Sequence, residues 1–304
     1  MSSKIQLIPT LPDEIVEAVN LDKLAVFIGA GVSRLLGCPG WDELGKNLAK
    51  QCLSEGVIIY REQESLIEMK DTRKVLTICH DLLKEKGKEN VFFEEMKKAL
   101  KGDAEITSPN IYDYIYRLHG LFLTTNVDCH FHKKFHPPNI IYKVEHLKED
   151  NIDRVNLYHL HGCILEPLSV VFTLHSYFKQ YRYTNSFNKF LKKIFQEYTI
   201  LFLGYGLAEL ELLEYLFLQF DKTDSHVLRH FMLTGFNSGE ERILEFEQRY
   251  YGQMGIKVLA YRKDEKGYNQ LIDVLREWSI RIGQVSNYLH TTFEDIDSLI
   301  KNGP

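Results

Sequence analysis

Leu24-Ala25-Val26-Phe27-Ile28-Gly29-Ala30-Gly31-Val32-Ser33 is the stretch that sets the architecture. Five uncharged apolar residues in a row read as a strand buried on both faces, and such strands belong to parallel sheets covered by helices. Gly29-Ala30-Gly31 breaks the strand, and a helix is expected from about Val32. Beyond it, Trp41, Leu44, Leu48 and Cys52 recur at helical spacing. Strand character is scarce from there to Leu118. Leu76, Cys79, Leu83, Phe92, Met96 and Leu100 suggest a small helical insertion at about 56–118.

Strand signals return at Leu121-Phe-Leu-Thr-Thr125, Ile140-Ile141-Tyr142, Leu157-Tyr-His-Leu160 and Val170-Val-Phe-Thr173. The last third alternates helix and strand. Helices are expected at 187–198, 209–220, 240–251 and 268–282, and strands at 200–203, 230–234 and 256–261. Alternation of this kind implies βαβ units, so the fold class is α/β, a doubly wound parallel sheet with a small helical insertion. One domain is expected over 1–285, followed by a C-terminal helical tail at 286–304.

Composition narrows the function. Of 304 residues, 44% are hydrophobic and 26% charged, with 8 prolines and 19 glycines, which excludes collagen-like and disordered classes. Lys+Arg 37 against Asp+Glu 42 gives a net charge of −5, without the basic field of a nucleic-acid binder. Apolar runs stay short of the ~18 residues a membrane helix needs, so no membrane partner is expected. Residues 1–6 lack the apolar core of a signal peptide. Five cysteines, without a CxxC pair, suggest reduced thiols and a cytoplasmic location.

Ligands of doubly wound sheets bind in loops at the carboxyl ends of the strands. Four such loops are unusual here. Gly29-Ala30-Gly31 opens a helix, where backbone N–H groups can meet a pyrophosphate, and Ser33 adds a hydroxyl. Arg34 takes the third glycine position of the dehydrogenase fingerprint, so that motif is incomplete. Thr124-Thr125-Asn126-Val127-Asp128 offers a carboxamide able to orient a water or a ribose hydroxyl, while Asp128 could equally cap the next helix.

His159 and His161 are two apart, on one face if the strand continues, and His161 at the rim can serve as a general base. Gly204-Tyr205-Gly206-Leu207 ends the most hydrophobic strand. Glu209 after it either favours the helix dipole or holds a ribose hydroxyl. Two further patterns carry less. Gly40 to Lys46 fits the first seven positions of a P-loop, but Asn47 replaces its Ser/Thr. Cys129, His130, His132, His136 and Cys163 permit a metal site, with His132 and His136 at i,i+4. Lys133, Lys134 and Phe135 interleave the histidines and no carboxylate completes an HExxH, so no metal is expected.

Taken together, G-A-G-V-S, T-T-N-x-D, L-H-G and L-G-Y-G-L in this order resemble the sirtuin superfamily. The likeness is greatest to the divergent branch in bacterial anti-phage defence and runs from about Leu24 to Tyr261. The resemblance implies a Rossmann-like domain that binds NAD in a crevice. Gly29, Ala30, Gly31 and Ser33 would line its phosphates, and Thr125, Asn126 and Asp128 would surround the nicotinamide ribose. His161 would be the catalytic base, with Asn126 orienting water or ribose, while Gly204, Tyr205 and Glu209 would serve the rest of the dinucleotide. Trp41 would form part of the pocket wall, where the sirtuin deacylases carry a different sequence. The deacylases also hold zinc in a four-cysteine module that five scattered cysteines do not supply, so no zinc is expected. The implied activity is hydrolysis of NAD to nicotinamide and ADP-ribose, with protein deacylation or NAD sensing as alternatives. The branch further implies a homo-oligomer and a separate partner, a HerA-type ATPase or a short Argonaute. The helix expected at 286–300 is the candidate contact.

Overall fold

The computed structural model describes residues 5–102, 108–183, 185–205 and 230–284. The helices expected at 209–220 and 286–300, and Glu209 itself, lie outside these residues. One seven-stranded sheet organises the chain: β1 (Leu24–Ile28), β2 (Leu121–Thr124), β3 (Ile140–Ile141), β4 (Leu157–His159), β5 (Thr199–Leu203), β6 (His230–Phe236) and β7 (Ile256–Arg262). Their order is β3-β4-β2-β1-β5-β6-β7, and every pairing is parallel. This is the α/β, Rossmann-like sheet expected from the alternating pattern.

The order explains where a site belongs. From β1 the chain builds β2, β4 and β3 on one side, then crosses to lay β5, β6 and β7 on the other. A crevice opens where a sheet reverses direction in this way. The register aligns the strand ends: Ile28 pairs with Thr124 and Leu203, and Thr124 pairs with His159. All four unusual loops therefore start from one row of residues.

Burial follows composition. All five residues of β1 are buried, so the strand is covered on both faces. One face packs against α9 (Asn185–Glu197), whose Phe187, Phe190, Leu191, Ile194 and Phe195 fall at i, i+3, i+4, i+7 and i+8. The other face meets α1 (Asp13–Asn20), α7 (Ile111–Tyr116) and the helix at 270–284, with Trp278 buried and donating to Pro9 O at 2.9 Å. The remaining helices are α2 (Ala30–Arg34), α3 (Trp41–Ser54), α4 (Tyr60–Glu68), α5 (Thr72–Glu85), α6 (Glu89–Ala99), α8 (Leu174–Tyr183) and α10 (Glu241–Gly252).

The helical unit has its own core, in which Leu44, Leu48 and Cys52 of α3 meet Leu76, Cys79 and Leu83 of α5 and Phe92 and Met96 of α6, whereas α7 packs with the sheet. Two readings from sequence need correction. Residues 170–173 form no strand. Val170 and Phe172 bury themselves against that helical core, which satisfies their apolar surface without a ladder. The helix expected to carry both His132 and His136 is a 3-10 turn, His130–Lys134, that stops short of His136.

Candidate functional site

Gly29 ends β1 in an extended conformation, and α2 starts at Ala30. The turn is knitted to its surroundings. Gly31 N donates to Gly204 O at 2.8 Å, and Val32 N donates to Gly29 O at 3.1 Å. A Cβ on Gly31 would lie 2.6 Å from Gly204 O, and a Cβ on Gly204 would lie 2.5 Å from Val32 N. Gly204 also has φ +67, a conformation few other residues adopt at low cost. The two glycines let two turns meet, and the N–H groups of Gly31 and Val32 are committed to protein carbonyls. The glycine pattern alone offers them to a pyrophosphate.

Beneath the turn lies a polar knot. Ser33, Asn126 and Asp128 are 3%, 6% and 4% exposed, so each polar atom needs a protein partner. Ser33 Oγ donates to Asp128 Oδ2 at 2.6 Å and accepts from Asn126 Nδ2 at 2.9 Å. With that proton committed, the Tyr112 hydroxyl, 3.0 Å away, is the donor to Ser33. Burial, reinforced by the Asp128 carboxylate, pushes the Tyr112 hydroxyl well above its ordinary pKa, so it keeps its proton. Asn126 Nδ2 also donates to Gly29 O at 3.0 Å. Asp128 Oδ1 accepts from His130 N, the first N–H of the 3-10 turn, at 3.1 Å, so Asp128 ties that turn to the knot.

Above the knot, a cleft of about 1270 Å³ runs along the carboxyl edge of the sheet. Ala30, Gly31, Trp41, Thr125, His161, Gly204 and Tyr205 line it. Gly29, Ser33, Asn126 and Asp128 are not among its lining residues; they hold the floor from behind. Thr125 Oγ1 lies 3.3 Å from the Tyr205 hydroxyl and joins the two halves of that floor. Trp41 packs edge-on against Phe172, with centroids 5.7 Å apart.

The two histidines part company, because β4 ends at His159 and Gly162 turns the chain at φ +76. His159 points inward. Its Nδ1 donates to Asn126 O at 2.8 Å, and its Nε2 lies 2.9 Å from His132 Nε2. Burial, then His132, lowers its pKa to about 3, so it is neutral at pH 7. His161 faces the cleft beside Tyr177. Desolvation first, and the Arg73 cation second, hold its pKa at about 4. The imidazole is therefore neutral at pH 7.

Arg34 and Arg73 also line the cleft, and Arg73 sits 5.6 Å from the Tyr177 ring centroid. Sequence reasoning picks out neither as a cleft-lining residue. Arg34 reads there only as a flaw in a glycine motif, and Arg73 stands on α5, far from any strand-end loop. The signal available is the cation on the first turn after Gly31.

Residues 120–259 match the family model described as a SIR2-like domain. That match supports the sirtuin-like superfamily. SIR2-like domains use NAD, so the match fits an NAD-using enzyme. No curated protein gives a significant match to the chain. The SIR2-like stretch begins just before β2 and ends within β7, so it takes in the Thr125, His161 and Gly204 loops. Among the described residues, no helix is long and apolar enough to cross a membrane.

Proposed function

We propose that this chain is an NAD glycohydrolase that cleaves the nicotinamide–ribose bond and releases nicotinamide and ADP-ribose. The observation that carries the reading is His161. It is a neutral imidazole facing a large cleft at the sheet's carboxyl edge, inside the stretch that matches the SIR2-like domain.

The chemistry asks little of an acid. The leaving group is a cationic pyridinium, and when the C1′–N bond breaks its electron pair neutralises that nitrogen. Positive charge left on the ribose carbon draws in water, as in other glycoside cleavages. His161 accepts the proton that water loses as its oxygen bonds to C1′. Asn126 keeps its proposed part in the reaction through Gly29 O and Ser33 Oγ, by fixing the turn against which the ribose lies. The Thr125 and Tyr205 hydroxyls, 3.3 Å apart on the cleft floor, would meet ribose oxygens. Arg34 and Arg73 would meet the diphosphate.

An unrestrained NADase would exhaust its own cell, so the activity requires an off state. The reading therefore includes a role in anti-phage abortive infection, with self-association and a separate HerA-type ATPase or short Argonaute partner as sensor. The test incubates NAD with purified chain, alone and with the product of its genomic neighbour. Equal release of nicotinamide and ADP-ribose without any acylated peptide is expected, abolished in His161→Ala. Nicotinamide release that depends on an acyl-lysine peptide would instead select deacylation. Tight NAD binding without turnover in either sample would select a sensing module.

A further inference from the structure

Behind the floor of the cleft, two cysteines and a histidine from separate loops converge. Cys129 follows the polar knot, His132 lies in the 3-10 turn, and Cys163 follows the Gly162 turn. One ligand atom from each lies within 4.8 Å of the others. The two thiols face each other with sulfurs 3.5 Å apart. We propose that Cys129, His132 and Cys163 bind a borderline-soft divalent cation of the zinc class.

Donor chemistry and spacing both point there. Thiolate and imidazole are the ligands zinc prefers, with Zn–S near 2.3 Å, and two sulfurs at a tetrahedral angle on one ion then stand about 3.8 Å apart. The observed sulfur separation is within a few tenths of that value. Without a cation, the contact between the two thiols is a weak S–H···S one.

Proton positions on the histidines reinforce the assignment. His159 Nδ1 faces a carbonyl, Asn126 O, which only accepts, so that nitrogen carries the proton. On a neutral ring its Nε2 is then an acceptor, and His132 Nε2 donates to it across 2.9 Å. This leaves His132 Nδ1 with its lone pair as the ligating atom. The string Asn126 O, His159, His132 has the form of an outer shell that orients a metal-bound imidazole. Three protein ligands leave a fourth position for water or an anion.

The location gives the cation work to do. It would clamp the loop after β2 to the loop after β4, and so fix Asn126 relative to His161. This site does not rest on the NAD reading and is tested separately.

The full chain is expressed in zinc-supplemented medium, purified under reducing conditions without chelator, and its metal content measured. One zinc per chain is expected, lost in Cys163→Ser and His132→Gln and retained in Cys52→Ser. Cobalt added to metal-free protein should give the strong visible bands of a tetrahedral thiolate site, and these should vanish in Cys129→Ser. If a cysteine variant fails to fold, the cobalt spectrum of the unmodified chain still decides. Background zinc together with a cobalt spectrum lacking thiolate bands overturns the proposal. So does zinc that survives Cys163→Ser and His132→Gln, or a Cys129–Cys163 disulfide in the reduced preparation.

Discussion

The Gly31 N–H donates to the Gly204 carbonyl at 2.8 Å, and this bond joins the turn after β1 to the turn after β5. A glycine-rich turn after a first strand suggests a phosphate cradle. Here its first use is backbone contact across the switch point of the sheet.

That contact makes the two glycines more sensitive to substitution than a glycine whose Cβ would stand in open space. Gly87 shares the positive φ of Gly204, but a Cβ there would meet no atom within 4 Å, so Gly87→Ala should cost only about 1–2 kcal/mol. Gly204→Ala adds a clash with Val32 N, and overpacking of that kind costs about 1–3 kcal/mol more. Denaturant unfolding of the two variants should show the difference, and equal losses would contradict the close packing of the turns.

Ser33→Ala should remove about 2–3 kcal/mol, because it strands Asn126 Nδ2, Asp128 Oδ2 and the Tyr112 hydroxyl at once. Tyr112→Phe, which removes one donor, should lose about 1 kcal/mol. The two losses should fall short of additive in the double variant, since both break one network. A double-mutant cycle measures this directly.

Asp113 gives stability a pH dependence. Burial raises its pKa, but the Lys134 ammonium, the Asn110 N–H and the Ser108 hydroxyl more than reverse this and hold it below the ordinary carboxylate value. A depressed folded pKa adds stability that is full above the unfolded pKa of about 4 and is lost as pH falls through the folded value. Asp113→Asn should therefore be destabilised by about 1–2 kcal/mol at pH 7. The gap from the unmodified chain should close on acidification, as urea midpoints across pH would record.

Arg34→Gln and Arg73→Gln should weaken NAD binding, each by about tenfold or more, as expected for loss of a charge-assisted contact of ~1.5–3 kcal/mol. Titration calorimetry with NAD and with nicotinamide riboside separates this from a general loss of fit. The nucleoside lacks the diphosphate, so its affinity should move far less.

His161→Ala should abolish NAD cleavage while leaving the thermal midpoint near that of the unmodified chain, because the side chain lines the cleft and is only half-buried. Cleavage at the unmodified rate would remove His161 from the mechanism.

Much of this is legible from periodicity. β1, β5 and α9 stand where their apolar spacing places them, because burial against neighbours favours what the local pattern already prefers. Residues 170–173 mislead, since a short apolar run can be buried by helices as well as by a ladder. The histidine pair shares one face only if the strand continues to His161, and β4 ends at His159 before Gly162 turns the chain.

The chain's own order of apolar and glycine residues determined the parallel sheet and its strand-end loops. It did not determine which polar groups face a ligand and which face each other. Ser33 and Asp128 are 95 positions apart, and Cys129 and Cys163 are 34 apart. Whether such groups meet depends on strand order and register, which are set by packing across the whole sheet. Only the tertiary structure could turn Asn126 inward, bring Arg73 beside His161 and gather the thiols around one imidazole.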